Sequence, residues 1–223
     1  MEKFATIRKR AAARKGGEQA LEALMPELKS PAELRKIPDH RWLAESTKRI
    51  FQAGFVWKVV ESKWDGFETV FEGFDPKTVA NFSEGDIGRL LTDTRIVRNG
   101  QKIRAVHHNA AFFLELAAEH GSAARFFADW PPADFVGLLE LMKKRGSRLG
   151  GFTGQIFLRF MGKDSFIVNP DVTQALVAAG VVTGNPTSKR DLAAVQQAFN
   201  QWHQESGLPL GYIGRTLACS VGD

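Results

Sequence analysis

Apolar residues recur at helical spacing along most of the chain, and no stretch alternates as a strand would. A short helix runs through Leu21, Leu24 and Met25 and stops near Pro26. Ser30-Pro31-Ala32-Glu33 has the form of a capping box with proline at the first helical position. Residues 40–64 read as one long helix, or two with a kink. Phe51, Phe55 and Val59 fall at i, i+4 and i+8, with Ile50, Val56 and Val60 alongside, and Gly54 interrupts the face. Asp75-Pro76 and Ser83-Glu84-Gly85-Asp86 each open a further helix, and another spans about Lys102 to Glu119. Residues 121–133 read as a loop whose Trp130-Pro131-Pro132 marks a boundary between lobes. Later helices cover 134–145, the run Ile156, Phe157, Phe160 and Met161, and the segment holding Val172, Ala175, Leu176 and Val177. One more starts at Ser188-Lys189-Arg190-Asp191, and a last one holds Ile213, Leu217 and Ala218. The fold class expected is all-α, with about ten helices.

Composition narrows the partners. The chain has 223 residues and 43% hydrophobic content, enough for one large core or two small lobes. Its net charge of +5 and pI near 9.4 favour an acidic partner, nucleic acid being the commonest. Cys219 is the single cysteine, which excludes an internal disulfide and a multi-cysteine zinc site and fits a reducing compartment. No apolar run approaches ~18 residues, so no membrane span is expected. The expected setting is cytoplasmic, and the expected state a monomer. Residues 1–17 carry Lys3, Arg8, Lys9, Arg10, Arg14 and Lys15. They read either as a basic arm on DNA or as a solvated helix.

The most telling stretch is Arg145 to Val172. Lys143, Lys144, Arg145 and Arg148 precede a glycine turn, Gly150-Gly151-Phe152-Thr153-Gly154, and an apolar helix follows. Glycines let backbone come close to a ligand, and free N–H groups at a helix start attract phosphate. The competing reading is an ordinary turn between core helices. An enzyme acting on a base must hold it out of the stack between aromatic faces. Trp57, Phe55 and Trp64 can supply such faces. Glu45, Glu61, Asn169 and Asp171 are the polar groups available to read a base edge or steady positive charge on the sugar. The plainer readings are a core tryptophan and helix-cap roles for Asn169 and Asp171. No phosphate-binding loop, dinucleotide fingerprint or zinc helix is present. The five histidines lack metal-ligand spacing, so neither metal nor cofactor is expected.

Several stretches together resemble one family. Gln52-Ala53-Gly54-Phe55-Val56-Trp57 is similar to the QAG(L/F)xW motif of the DNA-3-methyladenine glycosylase I family. Phe74-Asp75-Pro76 follows at the matching distance. Leu91-Thr92-Asp93, Ile96, Arg98, Lys102-Ile103, Asn109-Ala110, Lys143-Lys144-Arg145-Gly146 and Val168-Asn169 are similar too, so the likeness covers roughly residues 48–175. It implies a two-lobed helical fold of the helix-hairpin-helix glycosylase superfamily, a single glycosylase-like domain over residues 1–223 with a variable basic segment at 1–30. The implied reaction is hydrolysis of the N-glycosidic bond of alkylated purines, 3-methyladenine above all, in duplex DNA, and hence base excision repair. Trp57 would stack on the flipped base, with Phe55, Gln52 and Arg49 around it. Glu45, Asn169 and Asp171 are the catalytic candidates, the family being similar to this chain in having asparagine at Asn169. Lys143, Arg145, Arg148, Gly151, Thr153 and Gly154, with Arg98 and Lys102, would hold DNA. Two departures stand out. The family's acidic base-reading position holds Arg49 here, with Glu45 one helical turn earlier. The family's zinc ligands are also missing, since Cys219 is alone and Asp171 stands near one histidine position. Arg49 favours the alternative of a non-catalytic DNA- or lesion-binding protein on the same scaffold. A helical interaction protein without nucleic acid is the third reading.

Overall fold

A computed structural model describes residues 1–222. Fifteen α-helices lie among them: α1 (Phe4–Lys15), α2 (Glu18–Glu22), α3 (Pro31–Arg35), α4 (Asp39–Gln52), α5 (Trp57–Ser62), α6 (Trp64–Val70), α7 (Pro76–Ala80) and α8 (Glu84–Thr92). The chain continues through α9 (Gly100–His120), α10 (Ala123–Asp129), α11 (Phe135–Arg145), α12 (Gly151–Met161), α13 (Pro170–Ala178), α14 (Lys189–Ser206) and α15 (Leu210–Cys219). No strand occurs among the described residues. The expected all-α class holds, while the helix count rises because the stretch 40–64 divides and a helix forms within 121–133.

Two differences correct the sequence reading. The stretch 40–64, expected as one helix or two with a kink, holds α4, a turn, α5 and the first residue of α6. Gly54 adopts φ +72°, so the chain turns between Ala53 and Val56 and Phe55, Val56 and Val59 leave the buried face. Apolar periodicity continued through the motif, but the left-handed glycine broke the helix it suggested. The supposed loop 121–133 contains α10. Ser122 accepts from Arg125 N–H, and the Asp39 carboxylate accepts from Ala123 N–H at 3.0 Å and Ala124 N–H at 2.8 Å. The first four N–H groups of a helix lack partners within it, and here Ser122 serves one and a distant carboxylate two. The expected capping residues Ser30, Asp75, Ser83 and Ser188 all accept from the N–H three residues on.

The helices form two compact units. One comprises Met1–Lys29, Pro131–Leu138 and the chain from Gly162 onward. Its basic N-terminal stretch is not a loose arm. Phe4, Ile7, Ala11 and Ala12 are buried in α1, which packs on α15. Arg8 pairs with Glu18 and Glu22, and Arg10 with Glu2. Phe135, Phe166, Phe199, Trp202 and Phe4 form a connected aromatic series.

The other unit comprises Ser30–Trp130 and Leu139–Met161, so one boundary falls at the Trp130-Pro131 step. Its centre is α4. Trp42, fully buried, stacks on Phe127 at 5.0 Å and meets Phe157 edge-on at 5.9 Å. Phe51, Phe67, Trp64, Phe74 and Phe71 form a second aromatic group. Trp64 belongs to this packing rather than to an open face: its indole N–H donates to Glu68 at 3.0 Å.

Glu68 also receives both arms of Arg41, at 2.8 and 2.9 Å. These bonds hold its carboxyl below its ordinary value of 4.5, against the opposing effect of burial. A depressed carboxyl contributes stability above its unfolded pKa and loses it as pH falls through the folded one. Replacing Glu68 by Gln is therefore expected to lower stability at neutral pH. Urea midpoints of parent and variant should converge as pH drops below 4.5; a gap independent of pH would contradict this.

Candidate functional site

The site grows from two clamps made by α9. Lys102 lies at its start, where Asn99 caps the helix. Its ammonium donates to Phe51 O at 3.1 Å and Ala53 O at 2.6 Å, the carbonyls at the end of α4, and sits 4.6 Å from the Phe55 ring centre. A cation satisfying a helix C-terminus is favourable both as hydrogen-bond donor and against the helix dipole. The expectation of Lys102 as a phosphate contact is thus corrected. The residue is buried, and its amino group holds the turn 53–56 from inside through these two bonds.

Seven residues on, Asn109 grips the hairpin. It is fully buried, accepts from Ser147 N–H at 2.7 Å and donates to Ser147 O at 3.0 Å. Residues seven apart lie about 20° apart around a helix and about 10 Å along it. One face of α9 therefore spaces the Trp57 turn from the glycine hairpin. Two further contacts secure the hairpin. His108 Nε2 donates to Arg145 O at 2.9 Å, and Arg145 pairs with Glu115 at 3.0 Å and Glu119 at 2.6 Å. Those carboxylates raise the Arg145 pKa further and neutralise its charge within the protein, leaving less of it for a phosphate.

The hairpin itself needs glycine at Gly154. A Cβ there would lie 2.3 Å from Leu149 O and 2.7 Å from the Met142 methyl. Gly151, at φ +57°, opens α12 and is exposed with Phe152, while Thr153 is half-buried. Lys143, Lys144, Arg148 and, farther back in the chain, Arg98 are exposed. Arg148 bonds Gln101. No ion pair among the described residues engages Lys143, Lys144 or Arg98.

The far end of α12 meets Trp57. The indole, 43% exposed, packs against Phe160, 52% exposed, with ring centres 6.0 Å apart at 63°. From Gly151 to Phe160 the helix rises about 14 Å. Phe152, Ile156 and Phe160 follow at four-residue steps, so one apolar stripe, exposed at its ends and half-buried at Ile156, runs between hairpin and indole. Arg49 completes this end. It is only 6% exposed, and its guanidinium carbon lies 3.8 Å from the Phe160 ring centre and 5.4 Å from that of Trp57. Nε donates to Glu45 at 2.6 Å and Nη1 to Gln52 Oε1 at 2.7 Å. Gln52 reaches Glu61 at 3.4 Å. A desolvated planar cation over an aromatic face contributes about 2 kcal/mol.

Residues 46–136 match the model of the methyladenine glycosylases. That segment is less than half of the chain, and over it the sequence is similar to that family. DNA-3-methyladenine glycosylase 1 of Escherichia coli is 34% identical over 88 residues, 35% of this chain and 47% of that one. A DNA-3-methyladenine glycosylase of Haemophilus influenzae is 31% identical over 65 residues, 29% of this chain and 35% of that one. The chain thus spans about half, or less, of the length of these curated relatives. Among solved structures, 3-methyladenine DNA glycosylase I of Staphylococcus aureus aligns with TM-score 0.52 at 22% identity, covering 64% of this chain and 82% of that one. An 8-oxoguanine glycosylase/lyase of Methanocaldococcus jannaschii, solved with DNA, aligns over 95% of both chains with TM-score 0.51 at 13% identity. These likenesses fix the fold as that of the helical glycosylases.

The expected residues divide between the units. Glu45, Arg49, Gln52 and Trp57 come together as one cluster. Phe55 lies over Lys102 on the adjoining turn, and Lys143 to Gly154 form the hairpin. Asn169 and Asp171 lie in the first unit. Asn169 caps α13, accepting from Val172 N–H at 2.8 Å, and Asp171 is exposed in the first turn. Two contributors escaped the sequence reading, Phe160 as an open aromatic face and Asn109 as the hairpin anchor. The four-residue spacing of Phe152, Ile156 and Phe160 was the available signal for the first. Among the described residues no three His, Cys, Asp or Glu side chains gather as a metal ion would need. No helix there is long and apolar enough to cross a membrane.

Removing the Lys102 ammonium leaves two helix-end carbonyls without their donor. Lys102→Met is expected to lower stability by about 1–3 kcal/mol and to speed hydrogen exchange at residues 53–57 ahead of the rest. Burial, then the charge of Arg148, pushes the Lys102 pKa below 10.5. Between those values the folded chain holds fewer protons than the unfolded one, so this group favours folding increasingly as pH rises. The parent's advantage over Lys102→Met should therefore widen toward pH 10.5; an advantage that narrows there would contradict burial as the dominant effect on this group.

Proposed function

We propose that the protein binds damaged duplex DNA and hydrolyses the N-glycosidic bond of one base turned out of the helix. The observation that carries this reading is the pairing, within one unit, of a cation-flanked glycine hairpin with an open aromatic face about 14 Å along the same helix. The exposed Lys143, Lys144 and Arg148, with the first amides of α12, suit the sugar-phosphate chain. Trp57 and Phe160 offer ring faces to an extruded base.

In the reaction water adds to the sugar carbon as the bond to the base breaks, and the base leaves with the bonding electrons. Positive charge develops on the sugar, and an ionised carboxylate stabilises it. Glu45 is the carboxylate candidate in the Trp57 cluster. An alkylated purine is already cationic and leaves readily, so little acid catalysis is required. The relatives are named for 3-methyladenine, which makes it the first substrate to measure. The proposal includes a monomer acting in the cytoplasm as a base excision repair enzyme.

One observation favours a second reading, a lesion-binding protein without catalysis. Glu45 is already engaged by Arg49 at 2.6 Å, and Asn169 is engaged as a helix cap.

Free base released from methylated duplex, followed by chromatography, tests the enzyme. Trp57→Ala is expected to lower kcat/KM by about tenfold to a hundredfold, the worth of one stacked base. Tight binding with no base released over long incubation would select the second reading. Lys143→Ala and Lys144→Ala are each expected to weaken duplex binding and to reduce the slope of log K against log salt by about 1. Unchanged slopes would remove the hairpin from the DNA contact.

A further inference from the structure

We infer that Arg49 makes the Trp57 cluster selective for an uncharged base bearing a carbonyl oxygen, rather than for a cationic alkylated adenine. This rests on the reading that an extruded base is held at Trp57. The argument begins with the donors. Arg49 Nε is taken by Glu45 and one Nη1 donor by Gln52. Nη2 has no partner among the described residues and is not among the fully buried polar atoms left without one, so part of it reaches solvent. The guanidinium plane is fixed from below by Phe160 at 3.8 Å and from the side by the Glu45 pair. What remains is a donor edge beside the partly exposed rings of Trp57 and Phe160.

Such an edge discriminates in two ways. It donates and cannot accept, because a guanidinium has no lone pair to offer. A base presenting a carbonyl oxygen beside a ring nitrogen, as a 6-oxopurine does, matches the fork in the geometry by which arginine reads guanine. An adenine-type base presents an amino group there, donor against donor. The second effect is charge. A base carrying a positive charge would stack beside a cation already seated on the same aromatic faces, and the two repel. Glu45, paired at Nε, offsets part of that charge, so the donor-against-donor mismatch carries most of the discrimination. Gln52 directs its carbonyl oxygen at Arg49 and its amide nitrogen at Glu61, so it too leaves the guanidinium edge as the reader.

The test uses two duplexes of one sequence. One carries a single deoxyinosine, uncharged with a carbonyl at position 6; the other carries 1-methyldeoxyadenosine, cationic and without a carbonyl. Equilibrium binding at fixed salt is expected to favour the inosine duplex at least about tenfold over the methyladenosine duplex. Arg49→Met is expected to bring that ratio close to one, and Arg49→Glu to invert it. Equal binding by the parent protein, or preference for the cationic base, overturns the inference without need of any variant. Base release is measured on the same duplexes. Release from neither, with the binding preference intact, counts against catalysis but not against the role of Arg49. Loss of all salt-dependent duplex binding counts against both.

Discussion

The site depends on two hydrogen-bonded clamps set two turns apart on α9. Lys102 holds the carbonyls that end α4, and Asn109 holds the backbone of Ser147. Each replaces solvent at a place where main-chain groups would otherwise be buried without partners. Because a helix is stiff, their spacing becomes the spacing of what they hold. The turn before Trp57 and the hairpin before α12 are thereby placed by one rod. A second rod, α12, joins the same two places from the other direction, with Gly151 at one end and Phe160 against the indole at the other. Two rigid connections fix a distance more firmly than either loop could, and binding sites assembled on helices hold their geometry best.

The hairpin shows the same economy of side chains. Gly154 and Asn109 act together, the one letting α12 approach Leu149 and Met142, the other tying down the residue before Arg148. Arg148 sits at φ +58°, a conformation uncommon for a side chain of its kind. The doubly bonded Asn109 amide next to it supplies a reason for the backbone to stay there. Arg145 and Lys102, basic residues of the surrounding segments, work inward on glutamates and carbonyls, while Lys143, Lys144 and Arg148 keep their ammonium and guanidinium groups outside. Net positive charge alone could not have separated these two duties.

Much of this was legible in the chain. The caps at Ser30, Asp75, Ser83 and Ser188 announced their helices because the chemistry is local: a side-chain oxygen and an N–H three residues away. The hairpin was legible for the same reason. The stretches that carried the family resemblance include Lys102 and Asn109, and both prove to be clamps of the site rather than surface groups. What sequence could not give was direction. Phe51, Phe55 and Val59 share helical spacing, yet the left-handed Gly54 sends Phe55 and Val59 outward. Residues 121–133 lacked a strong local pattern, and α10 forms there with help from Asp39, more than eighty residues earlier. Phe160 looked like any core residue of an apolar run. Its exposure follows from where α4 and α5 lie, a tertiary fact that no window of the sequence contains.

The central claim is that one surface presents the hairpin and Trp57 to the same DNA. The most direct measurement is an NMR titration of the labelled protein with a duplex containing a stable abasic analogue. The account predicts that the amides of residues 150–154 and the Trp57 indole N–H shift together and saturate at the same DNA concentration. Hairpin shifts with a silent Trp57, or indole shifts with a silent hairpin, would contradict it.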